Sequence, residues 1–169
     1  MIVIANLFSF IGCFLLAYST FSKSKKNMLI IQVGDCMFNS LGCLFARSLS
    51  GFTTNFICGV RNIVNAKERN NKYTNFVFII LIIVLGVVIN TRGILGLLPI
   101  IASVEYTIWS YLCKTAQGLR FGLVLNLVLW LIHDCSVSLF TSTTLDIILI
   151  CITVYNIIKN DGDNRFEKS

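Results

Sequence analysis

The chain has 169 residues, of which 56% are hydrophobic and only 13% are charged, and its formal net charge is +6. This composition leaves too little polar surface to cover a soluble globule, so it excludes an ordinary water-soluble domain and predicts a protein whose solvent is lipid. The basic residues lie in short clusters between apolar segments, which argues against a nucleic-acid-binding surface and is typical of topology signals in membrane proteins.

Charged and turn-forming residues divide the chain into seven apolar segments that are long enough, or nearly so, to cross a membrane as helices. Uniform apolar runs such as residues 76–89 lack the alternation of membrane-barrel strands, so the predicted fold is all-α. The first segment lacks the basic region and cleavage site of a signal peptide, and we expect it to be retained. The predicted segments are 2–21, 27–46, 52–66, 74–90, 93–113, 119–137 and 142–158.

Basic residues distinguish the two sides of the predicted helices. Alternate connections carry most of the lysines and arginines, whereas the opposite side holds only Arg47 and Arg92. Because positively charged loops stay in the cytoplasm, the N-terminus is predicted outside and the C-terminus inside, which requires an odd number of spans. The basic clusters are Lys23, Lys25 and Lys26; Lys67, Arg69 and Lys72; Lys114 and Arg120; and Lys159, Arg165 and Lys168.

The fourth segment is the most uniformly apolar and separates two groups of three helices. A linker that crosses the membrane gives both groups the same orientation, as in transporters built from parallel repeats. A shift of 91 positions pairs Asp35 with Asn126, Asn39 with Trp130, and Asn55 with Asp146. We therefore predict a 3+1+3 fold of two parallel three-helix bundles, residues 1–66 and 93–158, with a linker helix at 74–90 and a cytoplasmic tail at 159–169.

Polar or small residues recur at helical spacing in three segments. They are Asp35, Asn39 and Gly42 in the second; Asn55, Gly59 and Asn62 in the third; and Asn126, Trp130 and His133 in the sixth. Polar groups at membrane depth usually face the interior, so the repeated stripes predict a cavity that opens outward. For any single Asn, a hydrogen bond between helices is the alternative. The predicted substrate-binding residues are Asn39, Asn55, Trp130, His133 and Asp146.

Two acids are candidates for coupling transport to a proton or cation, and one proline is a candidate hinge. Glu105 lies near the middle of the fifth segment and Asp35 near the middle of the second, where a carboxyl group can take up a proton or pair with a cation. Glu105 is expected at or below the floor of the cavity; the alternative is a purely structural partner. Pro99, the only proline, is a candidate hinge, although a proline near a helix start is also ordinary packing.

The remaining chemistry-bearing residues point to no catalytic or metal site. Seven dispersed cysteines without a CxxC pair, and a single histidine, predict small packing residues with no metal, cofactor or disulfide framework. His133 and Asp134 are consecutive and point about 100° apart on a helix, so no enzyme is predicted. Arg61 lies near the cytoplasmic end of its segment, where snorkelling towards water is the default and a gate is the alternative.

The stretch LLPIIASVEYTIWSYLCK, followed by LRFGLVLNLVLWLIHD, resembles the YgjV family of bacterial inner-membrane proteins. The matching positions are Leu98, Pro99, Ile101, Trp109, Trp130, Ile132 and His133, with looser agreement at Asn55, Arg61 and Asn62. The resemblance implies a multi-pass protein of the bacterial inner membrane with no settled activity. The 3+1+3 pattern is also similar to SWEET and PnuC transporters, although Trp130 is matched by Asn39, so the sugar-type pattern is incomplete.

These features predict a transporter, either a facilitator or a proton-linked carrier, that moves a small polar metabolite by alternating access between two bundles. The alternative is a non-transporting scaffold or a binding subunit of a larger membrane complex. Self-contained ATP-driven transport is excluded because no GxxxxGK[ST] motif is present. The expected partners are the lipid bilayer and the metabolite; a homo-oligomer is compatible with the sequence, and nucleic acid is not expected.

Overall fold

The computed structural model describes residues 2–67, 71–136 and 139–166, and the structure of these residues is all helical. The α-helices are α1 (Ile2–Thr20), α2 (Lys25–Phe45), α3 (Leu49–Ala66), α4 (Lys72–Val88), α5 (Leu98–Leu112), α6 (Ala116–Ser136) and α7 (Phe140–Phe166), and a short 3₁₀ helix (Gly93–Leu97) precedes α5. Each predicted segment corresponds to one helix, which confirms the all-α fold. The main difference is at α7, which continues to Phe166, past the predicted end at residue 158.

Five helical stretches are long and apolar enough to cross a membrane. They are α1, α2, the 3₁₀ helix together with α5, α6, and the part of α7 from Phe140 to Lys159. The helix α4 is also apolar but has only 17 residues. The helix α3 has 18 residues, and Asn55, Arg61 and Asn62 lower its hydropathy. The protein is therefore helical and membrane-spanning, and the count of seven spans stays a prediction.

Six of the helices form a ring. They pack in the order α1, α2, α3, α5, α6 and α7, and α7 packs back against α1. The principal contacts of α4 are with α3 and α5, so α4 lies outside the ring. Large apolar side chains of α4, such as Phe76, Val84 and Val88, are exposed, as expected of a helix that faces lipid. Its position covers the polar helix α3 from the lipid.

Helix bounds in the first half recur in the second half at a constant interval. The helix α2 begins at Lys25 and α6 begins at Ala116, 91 residues later; α3 begins at Leu49 and α7 at Phe140, which are again 91 residues apart. The packing follows the same relation, because the pairs α1–α2, α2–α3 and α3–α5 correspond to α5–α6, α6–α7 and α7–α1. The two halves therefore share the order of their helices around the ring.

Pro99 lies in the first turn of α5, directly after the 3₁₀ helix. A proline is accommodated there, because the first backbone N–H groups of a helix have no partner within the helix. The interior of α5 contains no proline and needs no kink. The predicted hinge at Pro99 thus lies at a junction between two helix types, and its movement stays a prediction.

We expect reporter tags fused to the N-terminus and to the C-terminus to lie on opposite sides of the membrane, with the C-terminal tag in the cytoplasm. The reason is the charge bias of the connections together with an odd number of spans. Fusions to alkaline phosphatase, which is active outside, and to a fluorescent protein, which matures inside, measure both positions. Two tags on the same side would contradict the seven-span prediction and the parallel orientation of the halves.

Candidate functional site

A cavity of about 60 Å³ lies inside the ring and is lined by all six ring helices. Most of the lining side chains are polar. They are Ser9, Gln32, Asp35, Asn39, Asn55, Arg61, Asn62, Ser103, Tyr106, Asn126, Trp130, Asp134 and Asp146, beside four cysteines and four leucines. This volume holds a few water molecules, whereas ligand pockets usually measure roughly 300 Å³ or more. A metabolite therefore fits only if the ring widens.

The wall formed by α1 and α2 presents an acid and an amide. The Asn39 side chain donates from Nδ2 to Oδ1 of Asp35 at 2.6 Å, which joins the two groups one helical turn apart. Asn39 fits between the helices because α1 has a glycine opposite: a Cβ atom at Gly12 would lie only 2.7 Å from Asn39 Nδ2. The absence of a side chain at Gly12 thus positions the Asp35–Asn39 pair at the cavity.

The wall formed by α3 and α5 contains a buried guanidinium group. Arg61 is 1% exposed, so the predicted snorkelling is wrong. Its Nη1 donates to Thr107 Oγ1 at 2.6 Å, its Nη2 donates to Asn62 Oδ1 at 2.9 Å, and its Cζ lies 5.3 Å from the centre of the Tyr106 ring. All of these partners are neutral, and the described residues offer Arg61 no carboxylate within ion-pair distance. Neutral groups therefore make all of its direct contacts, and the Glu105 carboxyl group acts on its charge from a greater distance.

Tyr106 connects this wall to α2. Its hydroxyl donates to Gln32 Oε1 at 3.0 Å, which fixes the orientation of the Gln32 amide. The other atom of that amide, Gln32 Nε2, is buried and has no hydrogen-bond partner. An unpaired buried donor costs roughly 1 to 3 kcal/mol, so a donor that lines a cavity points to a water molecule or a ligand as its partner.

The helices α6 and α7 supply the opposite wall. Asn126 donates to the backbone oxygen of Ala102 at 2.8 Å and so anchors α6 to α5. Trp130 and Asp146 line the cavity from α6 and α7. Asp146 is 4% exposed, and its Oδ2 atom has no hydrogen-bond partner in the described part of the chain. Residues of the cavity wall therefore carry an unpaired buried acceptor as well as an unpaired buried donor.

His133 lies behind this wall and does not line the cavity. Its Nε2 is 3.1 Å from Ser48 Oγ and its Nδ1 is 2.9 Å from Asp134 Oδ1, while its ring meets Trp130 edge to face at 5.3 Å. The prediction that the side chains of His133 and Asp134 point apart is therefore wrong. The Nδ1 atom of the His133 ring reaches the carboxyl group of the next residue, Asp134. Ser48 and His133 are both fully buried, so this chain of hydrogen bonds ties α3 to α6.

Glu105 does not line the cavity either, so it does not form the floor; the other predicted place, below the floor, stays a prediction. Its two neighbours on the cavity face of α5, Ser103 and Tyr106, are lining residues. Both carboxyl oxygens of Glu105 are buried without a hydrogen-bond partner in the described part of the chain. A role of Glu105 in proton or cation coupling stays a prediction, at a place beside the cavity.

Four cysteines lie in the wall: Cys13, Cys36, Cys43 and Cys58. Sequence analysis treated them as packing residues only. Two of them accept hydrogen bonds from cavity amides at 3.8 Å, Cys43 from Asn55 and Cys36 from Asn62. All seven cysteines are free, and within the described residues no group of three or more side chains is placed to hold a metal ion.

At the predicted inner end of the ring, cations of each half bind the other half. Lys25 at the start of α2 donates to the backbone oxygens of Ser110 and Cys113 at the end of α5, at 2.7 and 2.6 Å. Arg120 near the start of α6 donates to the backbone oxygen of Ser22 after α1, at 2.9 Å. Cations are favourable at helix C-termini, where backbone oxygens lack partners. Sequence analysis used these two cations only as topology signals.

These contacts follow the 91-residue interval. The accepting residues Ser22 and Cys113 are 91 positions apart. Asn65 and Asn156 are also 91 positions apart, and each donates at 3.2 Å to a hydroxyl group in the last turns of the first helix of the other half, Ser110 or Thr20. The inner end of the ring is thus joined by two similar sets of bonds, although the donors Lys25 and Arg120 are 95 positions apart and the acceptors Ser110 and Thr20 are 90 apart.

The predicted outer end is closed by different contacts between the halves. One is the hydrogen bond between Ser48 and His133, and another joins the backbone N–H of Thr141 to Asn6 Oδ1 at 3.2 Å. The cavity therefore lies between two ends at which contacts join the halves, and it is only partly enclosed. Its predicted opening towards the outer side stays a prediction.

The structure brings four of the five predicted binding residues together, Asn39, Asn55, Trp130 and Asp146, with Asp35 beside them. His133 stands outside the group. Sequence analysis missed Gln32, Arg61 and Tyr106. Gln32 was detectable, because it lies one helical turn from Asp35 on the same face of α2.

A model of the Imp-YgjV family, described as a bacterial inner membrane protein, matches residues 3–164. No curated protein and no solved structure gives a significant match to the chain. The similarity to SWEET and PnuC transporters therefore stays a prediction.

Proposed function

The chain belongs to the Imp-YgjV family of bacterial inner membrane proteins, and we propose that it transports a small polar solute across that membrane by alternating access between its two halves. The observation that carries this proposal is the polar cavity inside the ring, with hydrogen bonds between the halves at each of its two ends. In a carrier, these two sets of contacts open in turn.

The internal correspondence of the halves supports two units that move against each other. Helix starts, packing order and the closing contacts at the inner end recur at an interval of 91 residues. This is the pattern expected for the 3+1+3 arrangement with α4 as the linker. Alternating access in such proteins is a rocking of one repeat against the other around a fixed central site. Proton coupling through Asp35 or Glu105 is a further part of the proposal.

Unpaired cavity atoms favour a binding role over a purely structural one. Polar groups that only hold helices together are expected to pair with each other. Gln32 Nε2 and Asp146 Oδ2 instead lack partners at the cavity wall. The alternative of a non-transporting scaffold or binding subunit draws support from the small volume of the cavity, about 60 Å³.

We propose no enzymatic activity. Ser48, His133 and Asp134 are hydrogen-bonded to one another in the same sequence as the serine, histidine and aspartate of a hydrolase triad. However, Ser48 is fully buried, does not line the cavity, and uses its backbone N–H for a bond to Cys43 O at 2.8 Å. A substrate carbonyl would therefore not reach the Ser48 hydroxyl group. The backbone N–H of Ser48 would also not be free to stabilise an oxyanion.

The test is a thermal unfolding screen of the purified protein in detergent across amines, amino acids, sugars, nucleosides and vitamins. A transported solute is expected to raise the Tm in a concentration-dependent way, and its uptake into proteoliposomes is then measured. The variants Asn39→Ala and Trp130→Ala should lose uptake while still inserting into the membrane. Asn75→Ala is the matched control, because Asn75 is buried in α4 away from the cavity.

Lower stability of Asn39→Ala and Trp130→Ala, with no stabilising solute in any class, would contradict transport and favour the scaffold. Uptake that survives both substitutions would place the transport path elsewhere.

A further inference from the structure

The cavity has two chemically different ends. Positions along the helices, at about 1.5 Å rise per residue, give the depth of each group. Asp134 is near the end of α6, and Asp146 lies in the second turn of α7 at the same side of the ring. Asp35 lies near the middle of α2, while Gln32 lies one turn farther from that side and Arg61 lies in the second half of α3. Carboxyl groups thus occupy one end and N–H donors the other.

Two of the three carboxyl groups at the acidic end, those of Asp35 and Asp146, lack a positive partner. Asp35 is bonded to the neutral Asn39 amide, and Asp146 Oδ2 has no partner. Asp134 contacts His133, the single ion pair among the described residues. A buried carboxylate needs a proton or a positively charged group nearby, because hydrocarbon offers it no solvation. A primary ammonium group supplies both the charge and three N–H donors.

Among the described residues, the donor end has no carboxylate within ion-pair distance, although the Glu105 carboxyl group beside the cavity acts on the Arg61 charge. Arg61 is bonded to Asn62, Thr107 and the backbone of Ser103, which are all neutral. Gln32 Nε2, buried beside the Tyr106 hydroxyl, has no acceptor. A carboxylate would neutralise the guanidinium charge and could accept two parallel N–H bonds from it, which neutral oxygens of single groups do not offer. A carboxylate at this end would also accept from Gln32.

We propose that the solute is a small zwitterion of the amino-acid type, with its ammonium group at Asp35 and Asp146 and its carboxylate at Arg61 and Gln32. This inference rests on the proposed transport function and names its substrate class. The small volume of the cavity, about 60 Å³, favours compact members of the class, because these need the least widening of the ring. A neutral sugar leaves the charges at both ends without partners, and a simple amine leaves the donor end empty.

The experiment measures the Tm of the wild-type protein in detergent with glycine, β-alanine and γ-aminobutyrate, and with methylammonium and acetate as the separate halves of the ligand. At equal concentration and ionic strength, at least one zwitterion is expected to stabilise the protein. Its affinity should be about tenfold or more above that of methylammonium or acetate, because the zwitterion contacts the acidic end and the donor end of the cavity together. The chain length of the zwitterion that binds best reports the distance between the acidic end and the donor end of the cavity.

Substitutions at the two ends test the assignment. Asp146→Asn and Arg61→Met are each expected to lower zwitterion affinity by about tenfold or more. Gln32→Leu keeps all formal charges and should lower zwitterion affinity by a smaller factor. It tests the donor end of the cavity if Asp146→Asn or Arg61→Met fails to fold. Asn75→Ala should bind as the wild type does. Size-exclusion chromatography of each variant separates lost binding from lost folding.

Methylammonium or acetate that stabilises as well as the best zwitterion would overturn the inference, as would unchanged zwitterion affinity in folded Asp146→Asn and Arg61→Met. If a sugar, nucleoside or vitamin binds and no zwitterion does, the inference fails while the transport proposal stands. If no solute of any class binds, both fail.

Discussion

Arg61→Ala is expected to lower the free energy of unfolding by about 2 to 5 kcal/mol, because truncating a large buried side chain leaves a cavity in the α3–α5 interface. Arg61 is among the largest fully buried side chains, at 1% exposure. Its removal also leaves Asn62 Oδ1 without either of its guanidinium donors. The unpaired acceptor adds to the cost of the cavity.

The control for this prediction separates packing from charge. Arg61→Met keeps most of the side-chain volume, so it leaves a much smaller cavity than Arg61→Ala, while both variants remove the donors to Asn62 Oδ1. Its destabilisation should therefore be well below that of Arg61→Ala. Lys67→Ala removes an exposed cation at the end of the same helix and should change little. Thermal and denaturant unfolding in detergent measure all three, and equal effects of Arg61→Ala and Lys67→Ala would show that the guanidinium does not stabilise the ring.

Gly122→Ala is expected to destabilise the protein by about 1 to 3 kcal/mol through overpacking between α5 and α6. A Cβ atom at Gly122 would lie 2.3 Å from Cδ1 and 2.9 Å from Cβ of Trp109. The indole is fixed, because its Nε1 donates to the backbone oxygen of Gly118. The position of the Trp109 Cβ atom is set by the backbone of α5, so rotation of the side chain does not relieve this clash. The helices α5 and α6 must therefore move apart.

Gly59→Ala is the matched substitution on α3. There the new Cβ would lie 3.4 Å from Cys36 Cβ, which is an ordinary contact. Alanine favours a helix over glycine by about 1 kcal/mol, so this variant should be as stable as the wild type or more stable. Tm values of the two variants, measured side by side in detergent, check the prediction. Equal shifts in both variants would mean that the close approach at Gly122 does not limit the packing of α5 against α6.

Sequence by itself determined the helices and their class. Helix bounds follow from the length of apolar runs and from the charges and turn residues between them, and these are local properties of the chain. The predicted stripes also determine which face of a helix is polar, and they place Asp35 and Asn39 on α2 and Trp130 on α6 at the cavity, where all three lie. The 91-residue interval was likewise readable in the sequence, and it recurs in the helix starts.

Tertiary structure decided which neighbour each face meets and how far each side chain reaches. Periodicity places Glu105 and His133 at membrane depth, but only the order of helices in the ring puts Glu105 beside the cavity and His133 behind it, against Ser48. Likewise, a long side chain near a helix end can extend to water or turn inward. Arg61 turns inward because α5 offers Thr107 and Tyr106 opposite it. Such partners lie far away in the sequence, so no local pattern specifies them.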